Sequence, residues 1–369
     1  MKELNSVNQI QKLIEQNPDK PVRDLLSQFR IQKDICWKIP DSFDLIFTRK
    51  GAEQCSSSLI ADYNASKFMK FHTVADLCCG IGMDLMSIAS NKDRVFAVDS
   101  DRNTLMAAEY NCQRRNLSNV EFLNEKAENF NREVEAVFID PDRRKNGKRQ
   151  IKAENYSPSF SSILAMSKRF PHLAAKLSPL FDYDDLKIDP GYTLEFVSER
   201  GTLKELLLCL GKTHTESVTR KAVLLPSGST IDDREKVHRE FSTIKKYIYE
   251  PDPAIIRAGL VAELAEKIDY KLIDARSAIL TSDKITTENF GRIYQVVQIM
   301  PYNLRRLTAF IQENDIGELV LKTRGFSETV EEMRKKLKLK GKKSAIIFII
   351  KLQNKHKMLL LRSLNTHTV

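Results

Sequence analysis

No long apolar run occurs in this sequence, and that absence argues against a membrane-spanning segment. The longest uninterrupted stretch of aliphatic and aromatic residues runs from Ala345 to Ile350, whereas crossing a bilayer takes about 20 apolar residues. The first residues are polar and of mixed charge, without the apolar core of a signal peptide. The six cysteines form no CxxC pair and have no histidine at a metal-ligand spacing, so neither a zinc site nor a disulfide framework is predicted. We therefore expect a protein of the reducing cytoplasm, with neither a membrane nor a metal among its partners.

Composition narrows the class of partner without identifying it. The 369 residues are 42% hydrophobic and 29% charged, as in a globular chain of two or three domains. The formal net charge of +10 and the isoelectric point close to 9.1 favour a polyanionic partner. Many basic proteins bind no nucleic acid, so the kind of partner has to be inferred from the candidate binding residues.

The stretch TVADLCCGIGMD, Thr73 to Asp84, is the one around which the chain is organised. A short apolar strand ends in an acid, Asp76, and the chain then turns through Gly80 and Gly82 into a helix. Glycines after a strand let the backbone approach a ligand closely, and the new helix directs its free N–H groups at that ligand. A nicotinamide site has an apolar strand end instead, because its pyrophosphate needs only N–H donors. The acid suits a ligand with a positive end, such as the head group of an amino acid.

Strands and helices alternate from Thr73 to about Leu225. The predicted strands are seven short runs: Val74–Leu77, Val95–Val98, Val120–Leu123, Ala136–Ile139, Leu173–Lys176, Leu194–Val197 and Ala222–Leu225. Between them the sequence predicts helices that include Asp101–Arg115, Phe160–Lys168 and Leu203–Leu210. This alternation indicates βαβ units and a mainly parallel, Rossmann-like sheet of the α/β class, covered on both faces. Because ligands of such sheets bind at the carboxyl ends of the strands, residues just after strands are the candidates for a site.

Candidate cofactor-binding residues follow the first two strands. The turn after the first strand contributes Cys78 and Asp84 besides its glycines. After the second strand, Asp99 can accept both hydroxyls of a ribose, with Ser100 beside it. Asp101 is placed to cap the next helix. The sequence therefore predicts an adenosine-containing ligand along these strand ends.

Asp140 and Pro141 follow the fourth strand, in the sequence VFIDPDRRKNGKR. Proline donates no hydrogen bond and fixes its own backbone, so its carbonyl and the Asp140 carboxylate are left facing the site. The next residues are strongly basic: Arg143, Arg144, Lys145, Lys148 and Arg149. Such a loop suits a phosphate-bearing substrate, and a solvated basic loop is the alternative. A covalent adduct at a pyrimidine carbon would need a cysteine, and Cys209 lies in a predicted apolar helix, so we discount that chemistry.

The segments before and after the predicted sheet have different sequence patterns from the sheet and from each other. Residues 1 to about 70 predict short helices, with Ala52–Phe68 as a single helix. Beyond about Ile244, short strands and helices alternate in a compact α+β unit, in which an amphipathic helix follows Pro253. Seven of the ten residues from Arg334 to Lys343, Lys335 and Lys336 among them, are Lys or Arg. This run is either an exposed surface or, together with Arg305, Arg306, Lys322 and Arg324, a footprint for an RNA backbone.

Several sequence marks together resemble one family. They are EQCSS at Glu53–Ser57, DLCCGIGMD at Asp76–Asp84, IDPDRR at Ile139–Arg144, ENYSP at Glu154–Pro158, KLSP at Lys176–Pro179, YEPDPAIIRAGL at Tyr249–Leu260 and KTRG at Lys322–Gly325. In this order they are similar to bacterial class I S-adenosylmethionine (SAM)-dependent methyltransferases that carry a C-terminal THUMP-like domain. The resemblance implies SAM as the cofactor, a Rossmann-like catalytic domain and a terminal module of the kind associated with RNA. We predict four regions, with boundaries at residues 1–70, 71–243, 244–289 and 290–369.

The sequence departs from the family pattern at three places. The DLCCGIGMD segment corresponds to motif I of these methyltransferases, and it has Asp84 where a third glycine is usual. After the third strand, Lys126 stands at the usual position of the adenine-binding acid, so the contact is expected from the Ala127–Glu128 region or from Glu125. The fourth position of the IDPDRR motif is Arg143, where related enzymes carry an aromatic residue that stacks on an extruded base. A stacked adenine is therefore a less attractive substrate than another base.

The resemblance and the residues together predict a SAM-dependent RNA methyltransferase that modifies a base nitrogen, in tRNA or rRNA. Asp76 would hold the methionine amino group and Asp99 the ribose. Asp140, with the Pro141 carbonyl, would orient or deprotonate the target nitrogen. Arg143 is predicted to be the third catalytic residue, and with Arg144 it would bind phosphate or hydrogen-bond the base. The predicted substrate contacts are basic residues: Arg144, Lys145, Arg149, Lys335 and Lys336. The alternatives are a small-molecule or protein methyltransferase and a non-catalytic protein that binds SAM or RNA.

Overall fold

The computed structural model describes residues 22–145, 148–150, 152–183, 186, 188, 191–326, 328–352 and 355–364. The side chains of Lys145 and Arg149, two of the predicted substrate contacts, lie outside this description, as do the short helices predicted before residue 22. The chain divides into two compact units, Met1–Leu194 with Glu205–Glu216 and Glu195–Lys204 with Ser217–Val369. Within the described ranges, no helix is both long and apolar enough to cross a membrane.

The first unit contains five parallel strands, which confirm the predicted alternation of strands and helices as far as Leu177. Its strands are β1 Thr73–Leu77, β2 Arg94–Val98, β3 Val120–Leu123, β4 Ala136–Ile139, the short hairpin β5 Arg144–Lys145 and β6 Lys148–Arg149, and β7 Leu173–Leu177. Five of them pair in parallel in the order β3-β2-β1-β4-β7. Strand order reverses beside β1, which makes the carboxyl ends of β1 and β4 the expected ligand crevice.

The first unit has six described α-helices, four of which are capped by the side chain of the preceding residue. They are α1 Val22–Ile35, α2 Arg49–Gln54, α3 Ser58–Ser66, α4 Met83–Ala89, α5 Arg102–Arg114 and α6 Phe160–Ser167. Asp101 caps α5 as predicted, since its carboxylate accepts hydrogen bonds from the Asn103 and Thr104 amides. Buried residues such as Leu85 of α4, Ala108 of α5 and Phe138 of β4 share one apolar core.

The single helix predicted over Ala52–Phe68 is wrong. The chain becomes extended at Cys55, where α2 has ended, and α3 begins afresh after Ser57. The Ser57 hydroxyl accepts a hydrogen bond from the Ile60 amide, which satisfies one of the free N–H groups of the new helix. The break leaves Ser56 between two helices, where its side chain points into the protein.

The helix predicted over Leu203–Leu210 is also wrong, because these residues form strand β9, Thr202–Leu210. A continuous apolar run fits a buried strand as well as a helix, and periodicity cannot separate the two. Here Leu206–Leu210 are buried, as expected for a strand covered on both faces. Residues Leu206–Leu210 pair antiparallel with β7, with Leu207 opposite Lys176. Cys209 consequently lies in a buried strand and not in a helix.

The second unit contains an α+β fold, as predicted. Strand β8, Tyr192–Glu199, has residues in both units, as β9 does. Strands β10, Arg220–Leu225, and β11, Ser229–Asp232, belong to the second unit. A seven-stranded sheet follows with the order β13-β14-β12-β15-β18-β17-β16. Its strands are β12 Tyr247–Pro251, β13 Lys271–Leu272, β14 Leu280–Ser282, β15 Gly291–Pro301, β16 Ile316–Arg324, β17 Lys343–Leu352 and β18 Lys355–Ser363.

The helices of this unit are α7 Pro253–Ala258, α8 Val261–Lys267, α9 Leu304–Glu313 and α10 Val330–Lys336. The one amphipathic helix predicted after Pro253 is therefore two helices. Gly259, with φ of 71°, ends α7 in the left-handed conformation that glycine adopts most readily.

Two of the family marks meet inside the second unit. The Glu250 carboxylate, on β12, pairs with Lys322 and, at 2.9 Å, with Arg324, both on β16. The Lys322 ammonium also donates to the Tyr294 hydroxyl at 3.1 Å and lies 5.2 Å from the centre of the Phe348 ring. Only 11% of the Glu250 side chain and 19% of the Lys322 side chain are exposed, so this is a nearly buried ion cluster held by one acid.

Glu250→Gln is expected to lower the free energy of unfolding by about 2–4 kcal/mol, because it leaves a mostly buried lysine without its counter-charge. Chemical denaturation of the variant and the wild type measures the loss. Glu318→Gln is the matched control, since Glu318 lies exposed on β16, and we expect a change within about 0.5 kcal/mol there. Equal stability of the two variants would contradict a structural role for the cluster.

Candidate active site

The turn after β1 is a left-handed loop fastened to the neighbouring strand. Cys78, Gly80 and Gly82 have φ of 70°, 58° and 91°. The amides of Cys78 and Cys79 both donate to the Val98 carbonyl at the end of β2, at 2.8 and 3.0 Å. A Cβ on Gly82 would lie 3.2 Å from the Ala108 Cβ, whereas one on Gly80 would meet no atom within 4 Å. The loop is thus held closely against the sheet and helix α5, with an open side at Gly80 where a ligand can approach.

The departure in motif I lies at a different position from the one the sequence suggested. The loop ends at Gly82, which precedes α4, so Asp84 belongs to the first turn of that helix and not to the loop. The residue that occupies a left-handed position without being glycine is Cys78. Its side chain is half-buried, and burial followed by the nearby acids Asp99 and Asp140 raises the pKa of its thiol well above the ordinary value. Cys78 therefore stays protonated and is a poor nucleophile.

Asp76, at the end of β1, is a buried acid without a hydrogen-bond partner. It is inaccessible to solvent, and neither of its carboxylate oxygens has a partner among the described residues. Burial, and then the charges of Asp84 and Asp140, raise the pKa of Asp76 well above its ordinary value, although Lys176 offsets part of the effect. Leaving such a group unpaired is costly, so the site is complementary to a cationic hydrogen-bond donor. The ammonium group of the methionine part of SAM has this chemistry.

Asp99, at the end of β2, joins the loop to the neighbouring strand end. Its Oδ2 atom accepts a hydrogen bond from the Gly80 amide at 2.9 Å, and its Oδ1 atom accepts one from the Asp101 amide at 2.8 Å. Each carboxylate oxygen can accept a further hydrogen bond. Burial raises the pKa of Asp99, and the two backbone hydrogen bonds oppose that shift. Asp99 can therefore hold a ribose while fixing the loop, and Ser100 lies exposed beside it.

The segment after β3 presents two acids with different surroundings. Ala127 is buried at the start of a short 3-10 helix, and Glu128 is exposed beside it. The Glu128 charge is one of those that raise the pKa of the Cys78 thiol, so it acts on the glycine loop. Glu125 has a buried Oε1 atom without a partner in the described part of the chain. Both acids therefore remain candidates for the adenine contact, which stays a prediction.

The carboxylate that follows β4 is held by a buried lysine. Lys176, on β7, has only 4% of its side chain exposed, and its Nζ atom lies 2.7 Å from Asp140 Oδ2. The same atom donates to Ser56 Oγ at 2.8 Å. It lies 3.4 Å from Asp84 Oδ2 and 3.7 Å from Glu205 Oε2. Burial alone would lower the pKa of Lys176, but the three carboxylates, Asp140 first, raise it above its ordinary value, so the resting side chain is a cation.

Asp84 is engaged by protein groups on both carboxylate oxygens. The Ser56 hydroxyl donates to Oδ2 at 2.6 Å, and the Asn64 amide donates to Oδ1 at 2.8 Å. With Lys176 also close to Oδ2, Asp84 connects α3 and the loop before it to the acids behind the site. The structure places Asp84 in this network, and the cofactor contact predicted for it stays a prediction.

The basic loop after β4 is tied to helix α2, which carries part of the EQCSS mark. Lys50 Nζ lies 2.8 Å from Asp142 Oδ2, and Arg144 lies 3.6 Å from Glu53. Arg143 is half-buried and donates to the Leu177 carbonyl at 3.3 Å, at the end of β7. Pro141 is buried beside it. The structure thus gives the EQCSS region a role that sequence reasoning did not assign, which is to hold the loop on which the proposed acceptor residues stand.

The two C-terminal lysines predicted to contact substrate lie in the last turn of α10, in the second unit. Both are exposed, and Lys336 forms an ion pair with Glu328. Arg334, in the same turn, donates to the Leu319 carbonyl at 3.0 Å. Of these three cations, Lys335 has its charge most available for a ligand.

Sequence reasoning missed four residues of the network: Ser56, Asn64, Lys176 and Glu205. A signal existed for Lys176, because a lysine inside the apolar strand LAAKL has to find a counter-charge when the strand is buried. Glu205 was hidden by the wrong helix over Leu203–Leu210. On a strand it lies on the same face as Leu207, the residue opposite Lys176, which brings it to the lysine.

The strand order and the acids at three neighbouring strand ends define a Rossmann-like methyltransferase fold, and comparisons with known proteins agree. Residues 291–363 match the family described as THUMP domain-like. Over 312 residues the chain is 25% identical to an uncharacterized S-adenosylmethionine-dependent methyltransferase of Mycobacterium tuberculosis strain CDC 1551 / Oshkosh, covering 83% of this chain and 85% of the relative. The same figures hold for a relative of the same description from strain ATCC 25618 / H37Rv.

A solved structure from Porphyromonas gingivalis W83, provisionally assigned as a methyltransferase, shares the fold. Its TM-score is 0.74 at 20% identity, and the match covers 94% of this chain and 92% of that chain. These findings confirm the predicted fold class and the predicted resemblance. The chain is a homologue of SAM-dependent methyltransferases and ends in a THUMP-like domain.

Proposed function

We propose that this protein transfers the methyl group of SAM to a nitrogen atom of an RNA base. The observation that carries the proposal is the buried Asp76 carboxylate, which lacks a partner among the described residues and stands beside a left-handed glycine loop. A cationic amino-acid head group supplies the missing donor, and SAM also carries the adenosine that suits Asp99. The descriptions of the two mycobacterial relatives support the same cofactor.

The residues divide into a cofactor side and an acceptor side. Asp76 binds the ammonium group, Gly80 and Gly82 let the backbone approach, and Asp99 binds the ribose. The sulfonium of SAM makes its methyl group electrophilic without help from the protein. The protein therefore has to align the acceptor within about 3–3.5 Å of the methyl carbon and exclude water.

The acceptor side consists of Asp140 and the Pro141 carbonyl. Lys176 holds Asp140 Oδ2, so the other carboxylate oxygen is available to accept a hydrogen bond from an N–H group. Carbon methylation through a cysteine adduct is disfavoured, because Cys209 is buried in β9 and Cys78 is held as a thiol. These features support a nitrogen acceptor that carries a proton.

Three observations support RNA as the substrate. Residues 291–363 match the THUMP domain-like family, the chain has a formal net charge of +10, and a run rich in Lys and Arg spans Arg334–Lys343. Arg143 and Arg144 stand next to Asp140, where they would contact phosphate or a base edge. The six cysteines are free of disulfides, as suits the reducing cytoplasm in which we place the protein.

Charge reversal at Lys335, Lys338 and Lys340 is expected to weaken RNA binding and leave SAM affinity unchanged. The slope of log affinity against log salt concentration should fall by about 2, since each lost phosphate contact removes about 0.7–0.9. Arg334 and Lys336 are left intact because they have protein partners. Reversal of three other exposed lysines, Lys33, Lys236 and Lys357, is the control with equal net charge. Equal RNA affinity of the two triple variants would make the run an ordinary solvated surface.

The proposed function is tested by transfer of labelled methyl from SAM to total RNA from cells that lack the gene, with RNA from wild-type cells as the control. Label that appears in RNA from cells lacking the gene, and not in RNA from wild-type cells, supports the proposal. Digestion of the labelled RNA then identifies the base. Tight SAM binding by calorimetry without labelled RNA would point to a small-molecule or protein acceptor. Failure of both assays would contradict an enzymatic function.

A further inference from the structure

Three acidic side chains surround a single lysine behind the proposed acceptor site. Lys176 contacts Asp140 and lies within 4 Å of Asp84 and Glu205. Asp84 and Asp140 each have other donors or solvent to stabilise their negative charge. Glu205 has neither, since its side chain is 4% exposed and its Oε1 atom has no hydrogen-bond partner among the described residues. A role limited to structure does not explain a buried acid that is left with half of its carboxylate unsatisfied.

The network is continuous from the acceptor position into the sheet. Asp140 follows Ile139, which pairs with Ala175, so Asp140 and Lys176 are the next residues along two neighbouring strands. Glu205 lies on the following strand, β9, on the other side of β7. The order in space is therefore Asp140, Lys176 and Glu205, with the ammonium group between the two carboxyl groups.

We propose that Lys176 is a positioning residue that fixes the Asp140 carboxylate towards the methyl acceptor, and that Glu205 receives, through Lys176, the proton which the acceptor loses. This inference rests on the proposed function, because it needs an acceptor N–H group in front of Asp140. It adds two residues to the site, and neither of them touches the cofactor or the substrate.

The proton balance of the step closes within these groups. The acceptor nitrogen forms a bond to the methyl carbon, the bond between that carbon and sulfur breaks, and its electron pair remains on the sulfur. The acceptor then loses its proton to Asp140. Lys176 gives one proton to Glu205 and takes one from Asp140, which leaves Asp140 as a carboxylate, Lys176 as an ammonium and Glu205 as a neutral acid. This transfer requires Lys176 Nζ to approach Glu205 Oε2 from the observed 3.7 Å to hydrogen-bond distance. Glu205 returns the proton to solvent by the same route after the product has left.

The surroundings of Glu205 suit a group that takes up and releases a proton near neutrality. The charged groups that act on it are Lys176 from β7, Asp84 from α4, Asp140 after β4 and Arg143 from the following loop. Two are cations and two are anions, so their effects oppose one another. Burial is the largest cause, and the net result raises the pKa of Glu205 to about 7. A carboxyl group of this kind is divided between its two forms at physiological pH.

The first test measures the titration of Glu205 without any methyl acceptor. It uses infrared difference spectra. Asp76 is a second buried acid with a raised pKa, so the spectra are recorded in the Asp76→Asn protein, with and without Glu205→Gln. The protein that retains Glu205 should contain a protonated carboxyl band that titrates with a midpoint near about pH 7, and the Glu205→Gln variant should lack it. Presence of the same band in the Glu205→Gln variant, or its absence from the protein that retains Glu205, would overturn the assignment of the proton to Glu205. This readout is independent of SAM and RNA, so it also stands if the proposed function fails.

The second test is single-turnover methyl transfer from labelled SAM to RNA from cells that lack the gene. The wild-type rate should rise through about pH 7 as Glu205 ionises, and Glu205→Gln should be about 10-fold or more slower with that rise removed. SAM affinity, measured by calorimetry, should not change. A Glu205→Gln variant with the wild-type rate and pH profile would overturn the relay. A wild type that does not bind SAM would instead overturn the proposed function.

Substitutions of Lys176 separate positioning from relay. Lys176→Met removes both roles and is expected to lower the rate by about 100-fold or more. Lys176→Arg keeps a cation beside Asp140 but cannot pass on a proton, because arginine does not deprotonate in proteins. We expect Lys176→Arg to be slower than the wild type and to share the flat pH profile of Glu205→Gln. Full recovery by arginine would overturn the relay, and thermal unfolding of each variant confirms that it is folded.

Discussion

Asp76→Asn is expected to weaken SAM binding by about 10- to 100-fold, because it replaces the carboxylate that we propose pairs with the ammonium group of the cofactor. A hydrogen bond to a charged group contributes about 1.5–3 kcal/mol, and the buried position of Asp76 favours the upper part of that range. Calorimetric titration with SAM measures the change. Asp34→Asn, at an exposed position on α1, is the matched control and should bind SAM as the wild type does. Unchanged affinity of Asp76→Asn would contradict the proposed cofactor site.

The same substitution is expected to make the ligand-free protein more stable above neutral pH. Burial raises the pKa of Asp76 in the folded state, so the folded state binds more protons than the unfolded state over the range between the two pKa values. Stability of the wild type therefore falls as pH rises from about 4, and Asp76→Asn lacks this loss. The variant and the wild type should unfold at similar temperatures near about pH 4 and diverge towards about pH 8, with the variant higher. A constant difference across pH would indicate that Asp76 has a partner in solution.

Asp140→Asn is expected to lower the rate of methyl transfer by about 10²- to 10⁴-fold, the range typical of a lost general base. The amide keeps the shape of the side chain but accepts a proton far less readily. SAM affinity should remain within a few-fold of the wild type, since Asp140 stands on the acceptor side. Single-turnover transfer to the deficient RNA measures the rate, and calorimetry measures the affinity.

Asp142→Asn is the matched control for that experiment. Asp142 lies two residues further along the same loop, where its Oδ2 atom pairs with the exposed Lys50 and its Oδ1 atom accepts a hydrogen bond from the Arg144 amide, which an asparagine oxygen can also accept. We expect a change of no more than a few-fold, because a surface ion pair contributes only about 0–1 kcal/mol. Equal loss of activity in the two variants would indicate that the loop acts through its conformation and that Asp140 is not the base.

Local pattern was sufficient to predict the framework of the site. A short apolar strand that ends in an acid and continues into Gly80 and Gly82 has few structural solutions, since only the left-handed backbone gives so tight a turn into a helix. The seven predicted strands are all present, and Asp76, Asp99 and Asp140 lie at strand ends as the sequence predicts. Parallel strands then bring their carboxyl ends to one edge, so these acids were predicted to lie together.

The local sequence pattern predicted the wrong secondary structure where it is compatible with more than one. The run LKELLLCL is apolar enough for a buried helix and for a buried strand, and only the place next to β7 makes it β9. The serines of EQCSS were read as the interior of a helix, although one of them caps the next helix. Both errors concealed side chains that lie next to Lys176, Glu205 in the first case and Ser56 in the second.

The sequence by itself determined the class of fold and the acids at the strand ends, because those features depend on interactions between residues close in the chain. Only the tertiary structure decided how the charges are paired. Ser56, Asp84, Asp140, Lys176 and Glu205 come from five separate segments, and Lys176 Nζ lies within 4 Å of an oxygen of each of the other four. A buried charge is stable only with its counter-charge beside it, and which counter-charge that is depends on strand neighbours. The arrangement behind Asp140 is therefore a property of the folded sheet and not of any one motif.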